Sequence, residues 1–508
     1  MKCDTKTKRK ATIWRLHLQP LIKLLSLFLL ISFLVLDPWE MTAASNEMSK
    51  NALNVFLSPW YPPEGQEDIT VILIDDTSLE SFNESWPPTY HLQSTLIKEI
   101  ISYKPRGVFI DFLYSSDHST PEDTIEQLAF DIPPLADVFN VPIFLAKTDS
   151  SWKNTPQLIK ENFEFLNVSW SQENNYYPLE ISTNIDGVNH TEVTPATKLY
   201  SIFCQSNHSS CPKTFDKIKD HKVMSIRWGV MVPSFNQKFK EYTKSCLSGS
   251  YDTKPVEGIT NSTLNKLGLS YLLVKNQLFW KASSKVFQDC YYTQTINAAA
   301  LFSSSEKVKM LLQSILTDKL VLVGAKINSA PDLHNSVIHG QIPGVFYHAM
   351  ALDNLISLNG EYIVKAKSII PPHKSFPSLT ILELLEIIFL LLVSIYIYGS
   401  RLKEKRFRLL KNKKHTGKIK KTYYKFHNIL YLTTSSKVYT LIIFLVLTYI
   451  SILFLHFKYE ASNWLAVVAI TILFIRKINS FKRKTNSLIE LSLIPIIKLK
   501  DAIATGRK

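Results

Sequence analysis

The chain has 508 residues, 46% of them hydrophobic, and carries a formal charge of +15 at a pI near 9.3. That length holds a large core together with membrane segments. The basic residues gather at Lys2 to Arg15, Arg401 to Lys425 and Arg476 to Lys484, each beside an apolar run, so the positive-inside rule accounts for them and no nucleic acid partner is needed.

In chain order, residues 1–15 read as a cytoplasmic arm and 16–37 as a transmembrane helix or signal anchor, its apolar run closed by Asp37-Pro38-Trp39. A cleaved signal peptide ending near Ala43 and Ala44 is the alternative, and either way the region 38–376 is exported. Further apolar runs at 379–398, 438–457 and 461–475 read as transmembrane helices, with a basic cytoplasmic loop at 400–436 and a cytoplasmic tail at 476–508. Glu383 and Glu386 lie near the outer end of the second run, where ionisable groups reach the headgroups. Trp464 and Arg476 suit the two interfaces of the last, short run.

Within the exported region, residues 69–74 form a continuous β-branched apolar run that ends in Asp75-Asp76. A helix is expected over about 92–102, and a second apolar run from Gly107 to Ile110 ends in Asp111. Strands apolar on both faces and alternating with helices predict a mainly parallel sheet with covering helices. The fold class is therefore an α/β exported domain plus about four transmembrane helices. The stretch 116–314 is less regular, with short strands expected at 223–228 and 278–280. Four cysteines, Cys204, Cys211, Cys246 and Cys290, fall in the exported region, where disulfides form. Cys204 and Cys211 bracket a short polar loop, which leaves Cys246 for Cys290. A metal site that includes His208 is the competing reading, but the spacing matches no usual zinc pattern.

Towards its end the region offers Leu320 to Val323 as a strand that stops at Gly324, then a polar loop, then Ile342-Pro343-Gly344-Val345 leading into a helix. Val345, Ala349, Leu352, Leu355 and Ile356 give that helix one apolar face. Gly324 makes a tight turn or lets backbone approach a ligand. Three strands thus end at Asp75-Asp76, Asp111 and Gly324, and ligands in open α/β sheets collect outside the carboxyl ends of strands. If the three are neighbours, their carboxylates converge on a glycine-lined loop that suits a hard cation or a polar small molecule. The structural alternatives are that Asp76 caps the helix begun by Thr77-Ser78-Leu79 and that Asp111 bonds to its own loop. His91, His334, His339 and His348 each read individually as structural or surface groups. No nucleophile elbow, phosphate loop or HExxH helix is present, so no enzyme, cofactor or resident metal is expected.

The ordered set Asp75, Asp76, Ser78, Trp86, Pro87, Gly107, Asp111, Gly324, Asp332, Pro343, Gly344, His348 and Ala349, preceded by one apolar run and followed by three, resembles the CHASE type 2 family. These are the cyclase and histidine-kinase-associated sensory extracellular domains. The resemblance says little about 150–290. It implies a multi-pass protein of a bacterial inner membrane whose large domain faces the periplasm and senses a stimulus, with Asp75, Asp76, Asp111, Gly324, Asp332 and His348 as candidate ligand-binding residues. The partners it implies are a small molecule or envelope protein outside, the lipid bilayer, and a cytoplasmic kinase or cyclase. Relatives usually continue into a kinase or cyclase domain; here only about two dozen residues follow Lys484, too few for an enzymatic domain. The output expected is a partner or the membrane segment itself. A second function class, a membrane assembly or transport subunit whose exported domain docks a partner protein, rests on Glu383 and Glu386.

Overall fold

A computed structural model describes Leu29 and residues 43–169, 176–185, 188–206, 211, 223–231, 233, 263–280, 290–329, 332–359, 362–364, 368–370 and 379–380. The chain divides into two compact units, and almost all of the described residues lie in the one that spans 51–365. Helix α1 (Ala43–Leu57) passes through 3-10 turns at Ser58–Trp60 and Glu64–Glu67 into strand β1 (Ile69–Asp75). Then come α2 (Asp76–Phe82), α3 (Tyr90–Ser102), β2 (Gly107–Leu113), α4 (Ile125–Phe139), β3 (Ile143–Lys147), α5 (Asp149–Asn154), α6 (Gln157–Asn162) and β4 (Glu164–Asn167). The irregular middle supplies β5 (Tyr176–Pro178), a hairpin of β6 (Glu180–Ile185) and β7 (Val188–Val193), α7 (Pro195–Ser206), β8 (Val223–Ser225) and α8 (Thr263–Trp280). The last part runs β9 (Gln294–Asn297), α9 (Glu306–Leu316), β10 (Leu320–Lys326), β11 (Leu333–Ser336), β12 (Gly340–Pro343), α10 (Val345–Ser357) and β13 (Ile363–Val364).

Six strands pair in parallel in the order β4-β3-β2-β10-β1-β9. Strands β2, β10 and β1 therefore lie side by side at the centre, so the three strand ends are neighbours, and their two-sided apolar runs are buried on both faces. Alternation sorts the side chains. Ile69, Val71, Leu73, Phe109, Leu320 and Leu322 face a core built with α7 and α10, while Ile72, Ile74, Val108, Ile110, Val321 and Val323 face a core built with α3, α4 and α9. A small antiparallel sheet, β13-β8-β5, adds to the first face.

Several sequence expectations are corrected. The strand at Leu320 does not stop at Gly324 but continues to Lys326, and Gly324 is the point where α10 comes closest: a Cβ there would lie 2.5 Å from both Cβ and Cγ1 of Val345. Glycine inside a strand marks such a close approach. The polar loop before Pro343 contains the β11–β12 hairpin, and 278–280 is the end of helix α8 rather than a strand. The strand expected at 223–228 covers only Val223–Ser225. Cys204 and Cys211 form the disulfide, with Cα atoms 5.6 Å apart. Cys290 is buried, and Cys246 lies outside the described residues. So do the expected spans 438–457 and 461–475, the flanking cytoplasmic segments, and all of 16–37 except Leu29. Of 379–398 only Leu379–Thr380 is described, in a short ladder with Ser368–Ile370. Among the described residues no helix is long and apolar enough to cross a membrane.

The far end of α10 is tied to the segment that enters β1. The Tyr61 hydroxyl donates to Asp353 Oδ1 (2.7 Å), the Gly65 N–H to Ser357 Oγ (2.8 Å), and Asn354 Nδ2 to the Tyr61 oxygen (2.9 Å). Asn354 also closes a two-way pair with the Arg227 backbone, accepting from its N–H and donating to its carbonyl, both at 2.9 Å.

Candidate functional site

Asp111 follows Ile110, which pairs with Val323, so it stands level with Gly324 and on the face that meets α10. His348, one turn into α10, sits over it: His348 Nε2 is 3.7 Å from Asp111 Oδ2, and the side chains are 3% and 11% exposed. The imidazole is held between the Phe109 ring and Tyr177 of β5, whose hydroxyl is 2.8 Å from His348 Nδ1. That hydroxyl oxygen already accepts the Ala196 N–H at the start of α7 (3.2 Å). If the hydroxyl donates to Nδ1, the His348 proton lies on Nε2, towards Asp111.

Asp332, just ahead of β11, closes the group. Its carbonyl accepts the Gly344 N–H (3.0 Å), and its carboxylate lies against Gly344 so closely that a Cβ there would collide with it. Glycine is required at 344 for that approach. Asp332 Oδ1 also pairs with His334 Nε2 at 2.9 Å. The electrostatics follow from burial. Loss of solvent, then the Asp332 charge, pushes the Asp111 carboxyl well above the ordinary range. Burial drives His348 down to about 3, against the pull of Asp332. For Asp332 burial acts upwards, but the His334 hydrogen bond and the neighbouring imidazoles outweigh it and hold the group low. The result is a buried acid beside a neutral imidazole, with one charged carboxylate at the rim. Among the described residues no group of three or more metal-ligating side chains is placed to hold a metal ion.

Asp75 and Asp76 make a separate set of bonds. The N-cap of α2 is Asp75, not Asp76. Its Oδ1 accepts from Ser78 N (2.8 Å), Ser78 Oγ (2.7 Å), Thr77 Oγ1 (2.8 Å) and Asn297 Nδ2 (2.6 Å). The cap moves one residue back because Asp75 is extended while Asp76 is already helical. Asp76 is exposed and accepts from the Asn328 backbone and side chain, which latches α2 to the loop after β10. Asp111 does not end its strand, which runs on to Leu113. Of the six sequence candidates, then, the structure brings Asp111, Asp332 and His348 together, uses Gly324 for helix packing, and spends Asp75 and Asp76 on the start of α2. Sequence reasoning missed Tyr177, and it set His334 aside as a structural or surface group. Tyr177 lies in a three-residue strand with no periodicity to flag it, and His334 becomes visible only through its spacing of two from Asp332.

The CHASE2 domain model matches residues 24–396. The chain belongs to the CHASE2 family of sensory domains. No curated protein and no solved structure matches it.

Proposed function

We propose that the protein is a membrane-anchored extracytoplasmic sensor of a bacterial inner membrane, whose α/β domain takes a small polar ligand at Asp111 and relays binding through α10 to a cytoplasmic partner. The observation that carries this reading is the Asp111 carboxyl. It sits at the carboxyl end of a central strand, with its side chain 11% exposed, and His348 Nε2 stands over it at 3.7 Å, beyond hydrogen-bond distance. A ligand that donates a hydrogen bond to this carboxyl would give it a partner in a place with little solvent. The position is also where open α/β sheets collect ligands. Basic blocks beside each apolar run support the membrane placement. Relay requires only that the ligand favour one of two arrangements of α10, with a coupling of about 1–3 kcal/mol.

The test is a thermal-shift screen of the full-length protein in detergent micelles against amines, amino acids and sugars, repeated with Asp111→Asn. A compound that raises the melting temperature of the wild type and not of the variant supports the site. Compounds that shift both alike would move the ligand elsewhere and leave the docking-subunit reading as the better one.

A further inference from the structure

At the opposite end of α10 from Asp111, a cavity of about 40 Å³ opens between the end of α1 and the chain after β8, lined by Asn54, Leu57, Trp60, Tyr61, Arg227 and Trp228. Arg227 is the unusual member. Its backbone is fixed by Asn354, yet its side chain makes no hydrogen bond or ion pair among the described residues, and Nε is shut away from solvent with no acceptor. Burial acts to lower the guanidinium pKa, with only the Tyr61 hydroxyl opposing it. Buried charges in proteins are paired as a rule, because desolvation of an unpaired ion is costly. Arg227 is only partly buried, but its Nε has no partner among the described residues and its side chain lines the cavity, so an anion there would pair with it.

Size and walls narrow the class. One water needs about 10–15 Å³ of such space, so about 40 Å³ admits roughly three heavy atoms, which is the size of a carboxylate. A guanidinium matches that shape with two parallel hydrogen bonds. Trp60 and Trp228 supply flat apolar walls for whatever carries the group. We propose that this cavity binds the carboxylate of a small organic anion, with Arg227 as its cationic anchor and the two tryptophans flanking it. The site is separate from the Asp111 site and does not depend on it. It also lies where the entering segment, through Tyr61, meets α10, through Asn354, so its occupant would brace that junction.

The experiment uses the full-length protein in detergent micelles, with sodium acetate exchanged for sodium chloride at constant ionic strength and unfolding followed by tryptophan fluorescence. Acetate should raise the wild-type melting temperature by about 2–4 °C. Arg227→Met should show no response to acetate and should melt no lower than the wild type in chloride, because it removes a partly buried guanidinium whose Nε has no partner while leaving the backbone bonds to Asn354 intact. Arg227→Gln serves as a second, polar variant. Asp111→Asn should keep the acetate response, which separates this site from the other. A wild-type protein indifferent to the exchange, or an acetate response retained in Arg227→Met, overturns the proposal. So does the failure of both Arg227 variants to fold, which would make the guanidinium structural.

Discussion

Gly324→Ala tests whether α10 is pressed against the sheet at the point where the site is built. The added Cβ would meet Val345 Cβ and Cγ1 at 2.5 Å and Cγ2 at 3.0 Å, whereas carbon atoms in contact rest about 3.5–4.0 Å apart. The helix must retreat by roughly an ångström, and it has little room, since 11 of its 13 residues are buried. Overpacking of this kind costs about 1–3 kcal/mol, and the gain of Ala over Gly in a strand offsets about 0.5–1 kcal/mol of it. The expected net loss is about 1–2 kcal/mol. Val345→Gly removes every atom that collides, at its own cost of about 3 kcal/mol from lost burial and a glycine in a helix. The double variant should then be more stable than the sum of the two losses by about 1–2 kcal/mol. Urea unfolding of the four proteins in micelles measures that difference. Additivity within about 0.5 kcal/mol would mean that Val345 does not lie over Gly324, and the reading of Gly324 as a ligand-lining residue would return.

Two groups on α10 should bend the pH profile of stability in opposite directions. Burial raises Asp353 from 3.8 to about 7, so its contribution is complete below pH 3.8 and is lost as pH rises through 7, by about 4 kcal/mol. Asp353→Asn should flatten that limb in urea titrations between pH 4 and 8, and a profile unchanged from wild type would refute the assignment. Burial lowers His348 from 6.5 to about 3, so its contribution is present above pH 6.5 and is lost as pH falls towards 3, by about 5 kcal/mol. His348→Gln should flatten the acid limb. Asp75→Ala should cost about 1–2 kcal/mol as the lost cap of α2, while Asp76→Ala should cost under about 0.5 kcal/mol as an exposed position; the reverse order in thermal melts would restore Asp76 as the cap. Peptide mapping without reductant should find Cys204 joined to Cys211, and replacing both by Ser should cost about 2–3 kcal/mol, because the loop they close is short.

What the sequence made legible was the centre of the sheet. β1, β10 and β2 are apolar on both faces, which marks them as buried parallel strands and places Asp111 near a carboxyl end; their order was left open by the pattern and comes from the structure. The edges were not legible. β3, with the sequence Ile-Phe-Leu-Ala-Lys, fell inside a stretch read as irregular, and Leu278 to Trp280 looked β-prone although it closes an 18-residue helix. Short apolar runs carry no period, and tertiary packing decides between helix and strand for them. The site was half legible for the same kind of reason. Asp111 and His348 come from sequences 237 residues apart, and only the family resemblance put them in one list; their meeting depends on α10 lying across β2, which Gly324 permits and which no local pattern announces. Asp75 and Asp76 show the limit at single-residue scale, since either fits a cap and only the backbone angle at Asp75 chooses.

Those observations make α10 the element on which a signal would act. At 13 residues it is about 20 Å long. Near its start His348 stands over Asp111, and Val345 presses on Gly324. Near its end Asp353, Asn354 and Ser357 hold Tyr61, Gly65 and the Arg227 backbone. A helix buried on nearly every side has no room to bend by degrees, so a change at one end must move it as a body between packings that its neighbours allow. Under the proposed reading, a hydrogen-bond donor at Asp111 would act on one end of this helix, and protonation of Asp353 or an anion beside Arg227 on the other. If both proposed sites bind and the helix couples them, that coupling is the same factor in each direction.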